Sequence, residues 1–67
     1  MLSKQITRLR KISGKTQMEL ARELNVSPST IGMYEQGRRV PSLAIIVQIS
    51  NIFQVSLDYL VTGKEHT

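Results

Sequence analysis

Between Thr16 and Gly37 the sequence starts, stops and restarts a helix with almost nothing between the two. Thr16 followed by Glu19 is a capping box: the hydroxyl accepts from the Glu19 amide, and the Glu19 side chain reaches back to the Thr16 amide. A helix is predicted from about Thr16 to Asn25, and Asn25 tolerates the left-handed backbone that ends it. Ser27 is the next N-cap, with Pro28 in the first helical position, where its missing N–H costs nothing. The second helix therefore runs from about Ser27 to Gln36, and Gly37 can end it. Only Asn25 and Val26 connect the two. Such a turn brings the helices close, so their crossing point needs a small residue, and Ala21 fits. Leu20, Leu24, Val26 and Ile31 then close a local core, with Met18 also predicted inward.

The rest of the chain reads as three more helices. From about Ser3 to Ser13, Leu2, Ile6, Leu9 and Ile12 make one apolar stripe, with Ser3 as N-cap and Gly14 as terminator. After the loop Arg38-Arg39-Val40-Pro41, Ser42 caps a helix with a wide apolar face of Leu43, Ile46, Val47, Ile49, Ile52 and Phe53. That helix is the expected centre of the core. Ser56 caps a short last helix with Asp58 in its first turn, Leu57 and Leu60 inward and Gly63 as terminator. Strand readings are weak: Ile45 to Ile49 has the propensity, but no partner strand or hairpin turn is visible. The expectation is an all-α, compact five-helix domain over residues 1–63, with 64–67 as a frayed tail.

Composition removes several functions. The 67 residues contain no cysteine, and the single histidine, His66, is next to the last residue. Disulfides and thiolate metal sites are excluded. A zinc site or a Ser-His-Asp triad lacks its raw material, so no catalytic residue, metal or cofactor is expected. The longest apolar run, Leu43 to Val47, is far short of the roughly 20 residues of a membrane helix. No secretory signal is visible, and a cytoplasmic location is expected. Charge is more telling. Eight of the nine basic residues lie between Lys4 and Arg39, against Glu19, Glu23 and Glu35, whereas Val40 to Gly63 carries only Asp58. A basic half backed by a neutral apolar half fits a nucleic-acid-binding face with a core or subunit interface behind it.

The paired helices follow the logic of a helix-turn-helix, whose second helix enters the DNA major groove. Nearly the whole chain resembles the bacterial and phage repressor-type helix-turn-helix proteins, the XRE or Cro/repressor-like family. The resemblance rests on Leu9-Arg10, Thr16-Gln17-Met18-Glu19-Leu20-Ala21, Leu24-Asn25-Val26-Ser27, Thr30-Ile31-Gly32-Met33-Tyr34-Glu35-Gln36-Gly37, Pro41, and Val55-Ser56-Leu57-Asp58-Tyr59-Leu60. It implies a transcriptional regulator, a repressor acting as a homodimer on a near-palindromic operator in double-stranded DNA. Asn25 stands where the family usually has glycine. The same fold also serves antitoxins and other modules that bind protein partners, which is the alternative reading.

Candidate site residues follow from position and resemblance together. Ser29 and Met33 lie one turn apart on the face away from Ile31, and together with Pro28 and Gly32 they are the expected base contacts. None is an Arg, Gln or Asn able to make bidentate base contacts, so readout falls to thymine methyls, Ser29 hydrogen bonds and DNA shape. Gln17 begins the first helix of the pair, where the dipole favours a phosphate, and the family places a DNA-contacting glutamine there. Thr16, Ser27, Thr30 and Tyr34 are further backbone contacts, and Arg38 and Arg39 would flank the groove and supply salt-sensitive affinity. The resemblance puts Arg10 beside Glu35 as a structural ion pair. Leu57, Tyr59 and Val61 form the expected dimer surface. No membrane and no small-molecule substrate are expected as partners.

Overall fold

The computed structural model describes residues 1–64. Hydroxyl side chains set where four of its five helices begin. Helix α2 (Gln17–Leu24) is capped by Thr16, α3 (Pro28–Glu35) by Ser27, α4 (Leu43–Phe53) by Ser42 and α5 (Leu57–Thr62) by Ser56. Each accepts from the amide three residues on, and Thr16 completes its box with Glu19. Helix α1 (Leu2–Ile12) is different: Met1 holds the capping position with no side-chain bond, so Ser3 lies inside the helix and does not cap it. Ser3 stands two residues past the capping position, too late to take that role.

Four of the helix ends share one device. At Gly14, Asn25, Gly37 and Gln54 the chain turns left-handed. The next amide then reaches back five residues: Lys15 to Arg10, Val26 to Ala21, Arg38 to Met33 and Val55 to Ser50, at 2.9–3.0 Å. These bonds satisfy carbonyls that a helix end leaves open. Among the described residues no strand occurs, in keeping with an all-α fold.

The fully buried apolar residues are Ile6, Leu20, Ala21, Leu24, Ile31, Tyr34, Ile49 and Leu60. Every helix supplies at least one, but α2 and α3 supply five of the eight, so the core centres on that pair. The expectation that α4 is the centre is corrected. Its Ile49 is buried, while Leu43 is 72% exposed and Val47 lies near the surface. Ile12, Met18 and Leu57 are also exposed rather than inward. Each sits near a helix end, where too few neighbouring elements remain to cover a side chain on the right face. Gln5, by contrast, is a buried polar residue and donates to the Tyr59 carbonyl at 3.5 Å. Ala21, 1% exposed, marks the close approach of α2 and α3. Of the expected tail 64–67, all but Lys64 lies outside the described residues.

Candidate nucleic-acid interface

Helix α3 buries only Ile31 and Tyr34. Two anchors in an eight-residue helix give little packing energy, and short helices are marginal without it. Polar ties supply the rest of the hold. Arg10 donates from Nε to Glu35 Oε2 at 2.5 Å and from Nη2 to Oε1 at 3.1 Å, while its Nη1 donates to the Lys15 carbonyl at 2.9 Å. Gln17 Nε2 donates to the same Glu35 Oε1 at 3.0 Å. Glu35, at the end of α3, thus ties α1 to the start of α2, and Arg10 adds the α1–α2 turn.

The environment of this group is largely desolvated: the Arg10 and Glu35 side chains are 13% and 8% exposed. Burial opposes ionisation of Glu35, but hydrogen bonds from Arg10 and Gln17 and the Arg10 charge outweigh it. The carboxyl is held below its usual range. The hydrogen bond to Glu35 likewise raises Arg10, against burial. Both groups are therefore ionised across the neutral range. The exposed Lys15–Glu23 pair, at 2.9 Å, is of the screened surface kind and adds little.

The opposite face of α3 has no part in the core. Pro28 and Ser29 are exposed, and Gly32 and Met33 are half-buried. Gly32 has an ordinary helical backbone. A Cβ there would meet only Gln17 Nε2, 3.9 Å away. Neither conformation nor packing asks for glycine, although a helix-interior glycine costs about 1 kcal/mol relative to alanine. At the start of α3 the Ser27 hydroxyl lies 3.0 Å from Ser29 Oγ and 2.8 Å from Thr30 Oγ1. Three hydroxyls therefore share one small network beside the exposed face.

Thr16 and Gln17 open α2 next to this surface. The Thr16 hydroxyl is committed to the Glu19 amide, and one N–H of the Gln17 side chain to Glu35. The second Gln17 amide hydrogen and the first backbone amides of α2 are left to serve an anion. Arg38 and Arg39 are exposed on the loop after α3, with no carboxylate salt bridge among the described residues. Tyr34 is only 4% exposed, so it is mainly a core residue. The family resemblance pairs Arg10 with Glu35, as the structure does, but gives neither the Lys15 carbonyl nor the Gln17 link. Nothing in a single sequence signals a backbone acceptor, and a glutamine at a helix start points outward to a phosphate rather than inward to a carboxylate.

Away from this face, Leu57 and Val61 are exposed on α5, one helical turn apart. Tyr59 is half-buried, and its hydroxyl accepts from Arg8. Among the described residues, no group of three His, Cys, Asp or Glu is placed to hold a metal, and no helix is long and apolar enough to cross a membrane.

A family model described as helix-turn-helix, HTH_3, matches residues 6–60. YazB of Bacillus subtilis, called an uncharacterized HTH-type transcriptional regulator, is 39% identical over 62 residues, covering 92% of this chain and 90% of that protein. YqaE of the same organism, described in the same words, is 36% identical over 66 residues, covering 98% of this chain and 57% of that protein. The chain thus spans little more than half the length of YqaE. Among solved structures, the P22 c2 repressor protein in complex with a synthetic operator superposes with a TM-score of 0.89 at 26% identity, over 96% of this chain and 97% of that one. These relatives are regulators of transcription and repressors rather than enzymes.

Proposed function

The chain belongs to the helix-turn-helix family, and from that premise we propose that it is a transcriptional regulator that binds double-stranded DNA, a repressor acting as a homodimer in the cytoplasm. The observation that carries this is the division of labour in α3. One face is tied to the fold through Ile31, Tyr34 and Glu35, and the other presents Pro28, Ser29, Gly32 and Met33 without any packing duty. In this reading α3 enters the major groove and those four residues meet base edges, with thymine methyls against Pro28 and Met33 and a hydrogen bond from Ser29. Thr16 and Gln17, at the start of α2, grip one phosphate run. Ser27, Thr30, Tyr34, Arg38 and Arg39 grip the other. Arg10 and Glu35 hold the reading helix in place and touch no DNA.

A homodimer would set two copies of α3 about 34 Å apart, one turn of the duplex, on a near-palindromic operator. Leu57, Tyr59 and Val61 are the dimer surface in this reading. Tyr59→Glu places a charge in it, and sedimentation should then show a monomer; an unchanged dimer moves the interface elsewhere.

The test of the function is selection of bound sequences from a random duplex library at two salt concentrations. A two-fold symmetric motif with half-sites one turn apart supports the reading. Salt-sensitive binding with no motif refutes sequence-specific regulation by the chain alone and favours a module that works through a protein partner, such as an antitoxin.

A further inference from the structure

Between the start of α1 and the loop after α3 lies a cleft of 180 Å³ whose lining includes Leu2, Ser3, Tyr34, Arg39, Val40 and Pro41. Its polar groups are all donors or neutral, and no carboxylate lines it. Ser3 stands opposite Gly37, where a Cβ would come 3.8 Å from its hydroxyl oxygen. Three features meet here. The first is the N-terminus of α1, an eleven-residue helix with no side-chain cap and no acid in its first turn, whose leading amides carry the positive end of the dipole. The second is the Arg39 guanidinium, which among the described residues has no acidic partner. The third is Tyr34. It is 96% buried by its 4% exposure, no described residue hydrogen-bonds its hydroxyl, and no fully buried side-chain polar atom is left unpaired. Tyr34 lines the cleft.

We propose that this cleft is an oxyanion subsite that takes a phosphate group, held by the first amides of α1, the Ser3 and Tyr34 hydroxyls and Arg39. Leu2 and the buried Pro41 limit water on one side of the group and so strengthen each charge-assisted bond. Two sources share this chemistry. A phosphodiester of bound DNA would reach the cleft beside the Arg38-Arg39 loop, and that form rests on the DNA-binding reading above. A free phosphate monoester or inorganic phosphate needs no DNA.

Nitrogen-15 NMR separates them. The chain is titrated with inorganic phosphate against sodium chloride at matched ionic strength, then with a short mixed-sequence duplex. The amides of Leu2, Ser3 and Lys4 and the Nε–H of Arg39 should shift saturably. Tyr34→Phe, which keeps the ring, should weaken the response about tenfold, and Arg39→Gln, on the exposed loop, should abolish it. Saturable shifts with phosphate alone identify a free oxyanion site, and they stand even if the duplex binds nowhere. Shifts with the duplex only identify the phosphodiester form. Duplex-induced shifts confined to α3, with the α1 amides indifferent to both ligands, leave the DNA reading intact and overturn the subsite. No shift beyond the chloride control in either titration overturns it too.

Discussion

Arg10→Met strands Glu35 and is the sharpest probe of how α3 is held. The variant keeps most of the aliphatic stem but removes the charge and three donated hydrogen bonds, two to Glu35 and one to the Lys15 carbonyl. Glu35, 8% exposed, is left with Gln17 alone. Breaking a buried pair from one side costs about 3–5 kcal/mol. The edge of this pair still meets water, so the lower end, about 3 kcal/mol, is expected. A chain of 67 residues has only about 3–10 kcal/mol in total. The loss corresponds to a drop in Tm of roughly 12–24 °C at about 4–8 °C per kcal/mol. Glu35→Met should cost a similar amount by stranding the guanidinium. The double variant strands neither charge and leaves only the Lys15 carbonyl and Gln17 amide without a partner, a loss of about 1–2 kcal/mol. Urea unfolding of the wild type, both single variants and the double variant closes the cycle. Single losses below about 1 kcal/mol each, or additive losses in the double, would show that the pair behaves as an exposed salt bridge. The account of how α3 is positioned would then be wrong.

Gly32→Ala should raise stability by up to about 1 kcal/mol, because helix propensity improves and the new Cβ meets only Gln17 Nε2 at 3.9 Å. If the groove wall comes up against Gly32, the same variant binds DNA more weakly in a titration; undiminished binding refutes that close approach. Arg39→Ala should weaken binding to all sequences and flatten the salt dependence, whereas Ser29→Ala should change which base is preferred. Equal, sequence-independent losses would dissolve the distinction between the two roles. The folded Glu35 carboxyl binds a proton less tightly than the unfolded one. Its contribution is complete above the ordinary carboxylate range and is lost as pH falls through the lower folded value. The urea midpoint should therefore fall on acidification, and Glu35→Gln should reduce that fall; an unchanged acid limb counts against it.

Local chemistry made most of the fold legible. Thr16, Ser27, Ser42 and Ser56 each cap from within three residues, so their helix starts could be read from short stretches of sequence. Asn25, Gly37 and Gly63 stop helices for equally local reasons. Gln54 also turns left-handed, and a glutamine carries little signal for that. What failed was coverage. Periodicity states which side of a helix is apolar, but it does not state whether another element lies over a given turn. Hence Ile12, Met18, Leu43 and Leu57 have inward spacing and exposed side chains. Gln5 shows the converse, a polar residue buried because its acceptor is the Tyr59 carbonyl, far away in sequence. In the candidate site, the outer face of α3 was visible as what remained after Ile31 and Tyr34 were assigned. The cleft at the start of α1 was not, because it exists only where residues from distant parts of the chain meet.

The separation of duties on α3 also bears on how such a chain changes over generations. Ile31, Tyr34, the Ser27 cap and Glu35 carry the folding requirements, and Pro28, Ser29, Gly32 and Met33 carry almost none. Mutations at the second set escape the stability threshold that removes most core substitutions. If those four positions read DNA as proposed, a lineage carrying this scaffold can drift at them and acquire a new target one residue at a time, with every intermediate still folded.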